Sequence, residues 1–420
     1  MPTGPAQPAR RGIGLGRGRT LGILVASGSA AVSTLLITII AARSLVRDGD
    51  AGPYASFIVF WSLLFGVYGV VNGLQNETTR AVNSHGPGRA ADSGVPVLRA
   101  ALVLSTATAA LVALAGPWWG PRLVPDSMPH VVWLVAAGLV LYGLHQTGLG
   151  AASGLNDWPS FSWLMILDAA ARLGLVVAAA LAGTGLLGTE AACVLASLAW
   201  VVLLVPTRRG RRVLGAHADV GWGRFVRNCL LSMVSSTSTA ILITAFPTII
   251  KLTAPHEDAG LLAGTITAIS LTRSPIMIPL QAFQGVAITA FLTRRDGLLR
   301  ALARPVALVT ALGGLCAALM LLVGPWVLRV LYDPSLIATG TTFAGLTIAA
   351  VPLAVITLTG TATVAANAHA WFSAGWLSAA LVSTLLLHLP FALPVRVCIA
   401  LFTGPLAGAA IHLVGVRRAG

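Results

Sequence analysis

The chain has 420 residues, of which 56% are hydrophobic and only 10% charged, with a mean hydropathy of +0.86. A soluble domain carries roughly a quarter charged residues, and hydrocarbon cannot solvate charge, so this composition excludes a soluble globular protein and predicts a polytopic membrane protein. The net charge of +14 calls for no nucleic-acid partner, because basic flanks set membrane topology and attract anionic headgroups.

A spanning helix needs about 20 mostly apolar residues. By that rule the chain predicts twelve, at roughly 21–43, 53–76, 97–118, 129–151, 160–182, 186–206, 227–250, 260–291, 303–324, 338–360, 364–390 and 394–415. The last division rests on Pro390 and Pro394. Arg10, Arg11, Arg17 and Arg19 precede the first span, whose apolar stretch exceeds the ~7–15 residues of a signal core and so reads as an uncleaved anchor.

With both termini placed in the cytoplasm, nineteen basic residues fall on the inner side. Six fall on the outer: Arg43, Arg47, Arg122, Lys251, Arg329 and Arg396. That bias supports an even number of spans and a multi-pass protein of the cell membrane. Cys193, Cys229, Cys316 and Cys398 sit singly in or beside apolar segments without ligand or disulfide spacing, and read as small hydrophobes.

The sequence repeats itself. Gly116-Pro117-Trp118 returns as Gly324-Pro325-Trp326, Asp50-Ala51-Gly52 as Asp258-Ala259-Gly260, and Arg43 as Lys251, all at an offset of 208 positions. Asn156-Asp157-Trp158 against His369-Ala370-Trp371 needs a shift to 213. The reading is two homologous six-helix lobes, 1–206 and 220–420, joined by a cytoplasmic arginine-rich linker over 207–219. An even number of spans per half gives parallel repeats, a parallel pseudo-twofold, and two bundles that rock around a midplane cavity.

A first helix ending in AARSLVRDGDAGPYASF and a second ending in GLQNETTRAV resemble polysaccharide exporters of the multidrug/oligosaccharidyl-lipid/polysaccharide (MOP) flippase superfamily, O-antigen and teichoic-acid exporters in particular. The resemblance implies two six-helix lobes and transfer of a polyprenyl-diphosphate-linked glycan to the outer leaflet. It also implies a polysaccharide polymerase and glycosyltransferases as working partners.

Charge inside the bilayer costs a few kcal/mol per residue on insertion scales and points to function. Arg273 lies mid-span in SLTRSPIMIPLQAFQG. Pro275 and Pro279 just after it are expected to kink the helix and widen the cavity, and a guanidinium there suits a diphosphate bidentately. Arg273 could equally be paired for packing alone. Asp168 and Arg172 stand four apart on one helical face; they either neutralise each other or couple transport to a cation. At the end of the second span Asn72, Gln75, Asn76, Glu77 and Arg80 form a polar stripe. Asn72, Asn76 and Arg80 are candidates for sugar contacts at the cytoplasmic mouth, and Glu77 for coupling. The matching segment of the eighth span offers Gln281 and Gln284. Simple solvation of a helix end explains the stripe equally well.

GIGLGRG at 12–18 has nucleotide-loop spacing without a preceding strand. Glycines four apart, as at Gly69 and Gly73, permit close helix packing. No Walker motif points to ATP, no histidine cluster to a metal, and no cofactor is expected. Two other functions compete. A cation-coupled multidrug exporter would favour an acidic cavity. A polytopic polyprenyl-phosphate-sugar-dependent glycosyltransferase could use Asp48 or Asp50 as its acid, but the outward loops are short and the repeat explains Asp50 as a turn residue. The expectation is therefore a non-enzymatic transporter.

Overall fold

A computed structural model describes residues 17–83, 94–125, 128–292, 298–366 and 368–419. Side chains are described within these ranges except at 17–21, 23, 128, 275, 277–292, 298–302 and 419. Arg10, Arg11, most of the glycine loop at 12–18, Arg89, Arg294 and Arg295, together with the side chains of Gln281 and Gln284, therefore lie outside what is described.

The described chain is helical. Twelve long segments follow one another: α1 (Arg17–Leu45), α2 (Gly52–Asn83), α3 (Val97–Leu114), α4 (Met128–Gly154), α5 (Trp158–Leu181), α6 (Gly185–Leu204), α7 (Trp222–Ile243), α8 (Ala259–Leu292), α9 (Leu298–Val327), α10 (Gly340–Ala365), α11 (His369–Leu386) and α12 (Leu393–Ala419). Ten segments of the described chain are long and apolar enough to cross a membrane, against the twelve expected; α8 and α11, at the expected eighth and eleventh spans, are helical but not among the ten. Short helices Gly116–Leu123, Arg208–Leu214 and Phe246–Thr253 lie between them. The 207–219 segment, expected as a plain linker, is thus partly helical, and it also pairs with the start of α3 through Ala218 N–H to Val95 O at 2.9 Å.

Local chemistry explains the boundaries. Each helix start leaves unpaired N–H groups that a short polar side chain can accept. Asp50 Oδ1 takes the Gly52 N–H at 2.8 Å ahead of α2, and Asp258 Oδ1 takes the Leu261 N–H at 2.9 Å ahead of α8. The duplicated aspartate thus accepts a backbone N–H at a helix start in both halves, as a turn ahead of α2 and as the cap of α8, the structural role that the repeat assigned to Asp50. Asp157 caps α5 through Ser160 N–H at 3.3 Å, and Thr339 caps α10 through Thr342 N–H at 3.2 Å. The duplicated Gly-Pro-Trp closes the third helix of each half: as a separate short helix after α3, and within the last turn of α9, which runs on into a π turn at Leu328–Tyr332. α8 stays helical across Pro275 and Pro279.

Large apolar side chains cover the outside of the bundle. Leu111, Leu114, Trp118, Leu181, Val202, Leu315 and Leu322 are all highly exposed. No soluble protein could present them together, whereas acyl chains solvate them. All four cysteines are free, Cys193 and Cys229 fully buried.

The two runs of six helices meet along α2 and α7. Gly66, Gly69 and Gly73 of α2 face Ala245, Ala240 and Met233. A β-carbon at Gly73 would overlap the Met233 backbone, so at this crossing only glycine admits the neighbour. The small-residue spacing serves contact within the chain.

Candidate functional site

Three adjoining chambers open beside this seam. The first, of about 330 Å³, lies between α2 and α7 and is lined by Asn72, Gln75, Asn76, Ser236 and Thr239 among others. The second, about 260 Å³, lies inside the first lobe between α1, α2, α4 and α5. The third, about 320 Å³, runs from Thr34 and Trp61 to Ser270, Arg273 and Ser274 of α8. Phe65 lines all three, and neighbouring chambers share further walls: Asn72, Gln75 and Tyr142 between the first and second, Thr34 between the second and third, Ile243 and Thr244 between the first and third.

Arg273 is the charge that stands out. Its Nη1 donates to Leu242 O at 3.2 Å, the C-terminal end of α7. Among the described residues no carboxylate pairs with it, and it lines the third chamber with Thr34, Ser62 and Thr244. A half-buried guanidinium with most of its five donors unspent keeps its capacity for an anion.

Asp168 and Arg172 line the second chamber and neutralise each other. Arg172 Nη2 donates to both Asp168 oxygens at 2.7 and 2.8 Å, and Nη1 donates to Cys193 O at 2.8 Å. The guanidinium also lies 5.1 Å from the Phe65 ring centre, a cation–π contact.

The polar stripe of α2 divides in two. Asn72 and Asn76 line the cavity, and Asn76 Nδ2 reaches Ser236 Oγ across the lobes at 3.4 Å. Glu77 and Arg80 do not line any of the three chambers. Arg80 donates to Glu77 at 2.9 and 2.7 Å and to both oxygens of Asp219 at 3.1 Å, while Asn228 Nδ2 donates to Glu77 Oε1 at 3.0 Å. The expected sugar contact is here an ion-paired clamp from α2 to Asp219 of the 207–219 segment, with Asn228 of α7 bonded to Glu77 beside it, because α2, about 48 Å long at 1.5 Å per residue, carries these two residues past the cavity. The expected pairing of Glu77 with a coupling ion likewise meets a carboxylate already bonded three ways.

At the opposite end of the lobes a second set of contacts closes the gap. Thr38 and Tyr332 hydroxyls are 3.1 Å apart, and those of Tyr54 and Thr267 are 3.0 Å apart. Arg43 donates through Nε to Leu331 O at 3.1 Å and through Nη2 to Val330 O, where the carbonyl end of α9 favours a cation. The matching Lys251 donates to Pro255 O at 2.9 Å, and burial lowers its pKa.

Three residues of the first lobe escaped the sequence reading. Gln146 Nε2 donates to Asn72 Oδ1 and, at 3.1 Å, to Gln75 Oε1. His145 is buried with Nδ1 unpartnered, and its ring stacks at 5.6 Å on Tyr142, which stacks at 3.9 Å on Tyr68. Glu190 of α6 is fully buried with neither carboxylate oxygen bonded. The same cost of charge in hydrocarbon that singles out Arg273 and Asp168 could have singled out Glu190, and the run His145-Gln146-Thr147 interrupts an otherwise apolar span. Among the described residues no group of three or more His, Cys, Asp or Glu could hold a metal ion.

No family model matches the sequence. Two uncharacterized proteins of Mycobacterium tuberculosis are similar throughout: Rv3630, 36% identical over 93% of this chain and 91% of that protein, and Rv1510, 35% identical over 99% and 94%. Among solved structures, an inward-facing multidrug-resistance MATE family transporter of the MOP superfamily matches with a TM-score of 0.71 at 16% identity, covering 93% of this chain and 94% of that one. Its outward-facing counterpart gives 0.63 at 15% identity, over 96% and 95%. A MOP superfamily transporter from Pyrococcus furiosus, reported for the reverse polarity of its binding pocket, gives 0.62 at 16% identity, over 96% and 95%. The chain therefore belongs to the family of these mycobacterial proteins and has the two-lobed fold of the MOP transporters.

Proposed function

We propose that the protein is a flippase that moves a polyprenyl-diphosphate-linked oligosaccharide or polysaccharide precursor across the cell membrane by alternating access, with both termini cytoplasmic. Arg273 carries this reading. It is the one cavity-lining charge without a compensating carboxylate among the described residues. A cationic drug would meet repulsion there, and the nearest acid lining the cavity, Asp168, has both oxygens taken by Arg172. A diphosphate meets a free fork of donors in surroundings of low dielectric, where such bonds are strong.

The two contact sets give the motion a mechanical basis. Breaking the Thr38–Tyr332, Tyr54–Thr267 and Arg43 contacts opens one end of the cavity, and the Glu77–Arg80–Asp219 clamp holds the other. Asp168 and Arg172 serve as a neutral structural pair or as an exchange site for a coupling cation. Asn72 and Asn76 supply polar contacts along the route. A polymerase and glycosyltransferases would work on either side of the step.

Mass spectrometry of polyprenyl-linked intermediates in cells with and without the protein tests this reading. A flippase leaves the complete glycan unit accumulated on its lipid when it is removed. Truncated intermediates would assign the protein to glycan assembly, and an unchanged pool would reject both.

A further inference from the structure

The second chamber differs chemically from the one that holds Arg273, although the two share Thr34 and Phe65. Its charges cancel: Arg172 spends Nη2 on Asp168, Nη1 on Cys193 O and its face on Phe65. What remains on the wall is uncharged and bidirectional. Asn72, Gln75 and Gln146 converge there, with Gln146 donating its amide to the other two. That arrangement leaves Gln146 Oε1 as an acceptor and Asn72 Nδ2 and Gln75 Nε2 as donors, none of them bonded within the described protein. His145, 2% exposed, also lines the chamber, with its unpartnered Nδ1 sealed from the open space. A buried polar atom left unpaired is costly, so three amides with unspent donors and an unspent acceptor in one chamber mark a place suited to a polar ligand.

We infer that this chamber is a subsite for a single neutral sugar ring, next to an anion subsite at Arg273. An anion would find no unspent cation on this wall, and a cation no unspent carboxylate. A hydroxyl or acetamido group both donates and accepts, which matches amides that offer both. The volume of about 260 Å³, just under the usual lower bound of about 300 Å³ for ligand pockets, suits one monosaccharide. In a lipid-linked glycan the first ring is bonded directly to the diphosphate. Two chambers that share Thr34 and Phe65 as a common wall are therefore the geometry such a ligand requires. The rest of the glycan would leave through the chamber between α2 and α7.

This inference rests on the flippase reading for the identity of the lipid, and its test separates the two. The full-length protein in lipid nanodiscs is titrated with geranylgeranyl diphosphate and with the same lipid bearing one N-acetylhexosamine, following tryptophan fluorescence, since Trp61 lines the cavity. Two or three hydrogen bonds to the ring predict binding tighter by about tenfold or more for the glycosylated lipid. Gln146→Leu should erase that increment and leave the bare diphosphate unchanged. Gln75→Met, at the half-buried edge of the chamber, should do the same if Gln146→Leu disturbs folding. Arg273→Gln should weaken both lipids equally. Equal affinities for the two lipids, or an increment that survives Gln146→Leu and Gln75→Met, overturns the sugar subsite while leaving the diphosphate reading standing. An increment that vanishes in those variants, alongside indifference of both lipids to Arg273→Gln, upholds the subsite and rejects the anion site.

Discussion

Tyr54 of α2 and Thr267 of α8, 213 positions apart in the chain, join hydroxyls at 3.0 Å across the two lobes, both fully buried. With Thr38–Tyr332 at 3.1 Å this bond closes one end of the cavity. A neutral hydrogen bond contributes about 0.5–1.5 kcal/mol, so losing both shifts a two-state equilibrium by roughly tenfold to a hundredfold. Tyr54→Phe with Thr38→Val should raise external labelling of a Ser274→Cys reporter in the cavity, in a background without the native cysteines, by at least about tenfold. Unchanged labelling would remove these contacts from the gate.

Asp168 and Arg172 make the opposite kind of pair, within one helix and nearly buried. Removing one partner strands the other, at a cost of about 3–5 kcal/mol, whereas replacing both by apolar residues is commonly neutral. Asp168→Asn should lower the thermal midpoint sharply, and Asp168→Leu with Arg172→Met should restore it. Transport retained by the double variant would make the pair purely structural; transport lost from a stable double variant would assign it to coupling.

Gly73 and Gly174 separate close approach from simple flexibility. A β-carbon at Gly73 meets the Met233 backbone, whereas at Gly174 it meets nothing within 4 Å. Gly73→Ala should destabilise the lobe contact and lower the midpoint. Gly174→Ala, within α5, should raise stability by about 0.5–1 kcal/mol through helix propensity. Thermal unfolding in detergent checks both, and a stable Gly73→Ala would mean that α2 and α7 can separate freely.

Glu190 has both oxygens buried and unbonded. Replacing it with the near-isosteric glutamine removes an ionisable group from an apolar site. Glu190→Gln should therefore fold at least as well as the parent and unfold at an equal or higher temperature. A marked drop in the midpoint would mean that this carboxylate holds a partner essential to the fold.

The fold was more legible than the site because its signals are local. Apolar runs mark the spans, and Asp50 and Asp258 mark helix starts by their own hydrogen bonds a few residues away. The site depends on contacts between distant positions. Arg80 belongs to the polar stripe by spacing, but what fixes its role is Asp219, 139 positions on. Gln146 shows its part only when α4 packs against α2 and brings Asn72 and Gln75 within reach. Arg273 could be singled out because its cost in a membrane is independent of its neighbours; the lack of a carboxylate beside it among the described residues emerges only from the packed structure.

The central claim is that Arg273 grips the diphosphate of a lipid-linked glycan. The most direct measurement is the pool of lipid-linked intermediates in cells whose only copy of the protein carries Arg273→Gln, at matched membrane abundance. Accumulation of the complete lipid-linked unit, equal to that in cells lacking the protein and relieved in part by Arg273→Lys, is the expected result. A lipid pool indistinguishable from wild type would contradict it.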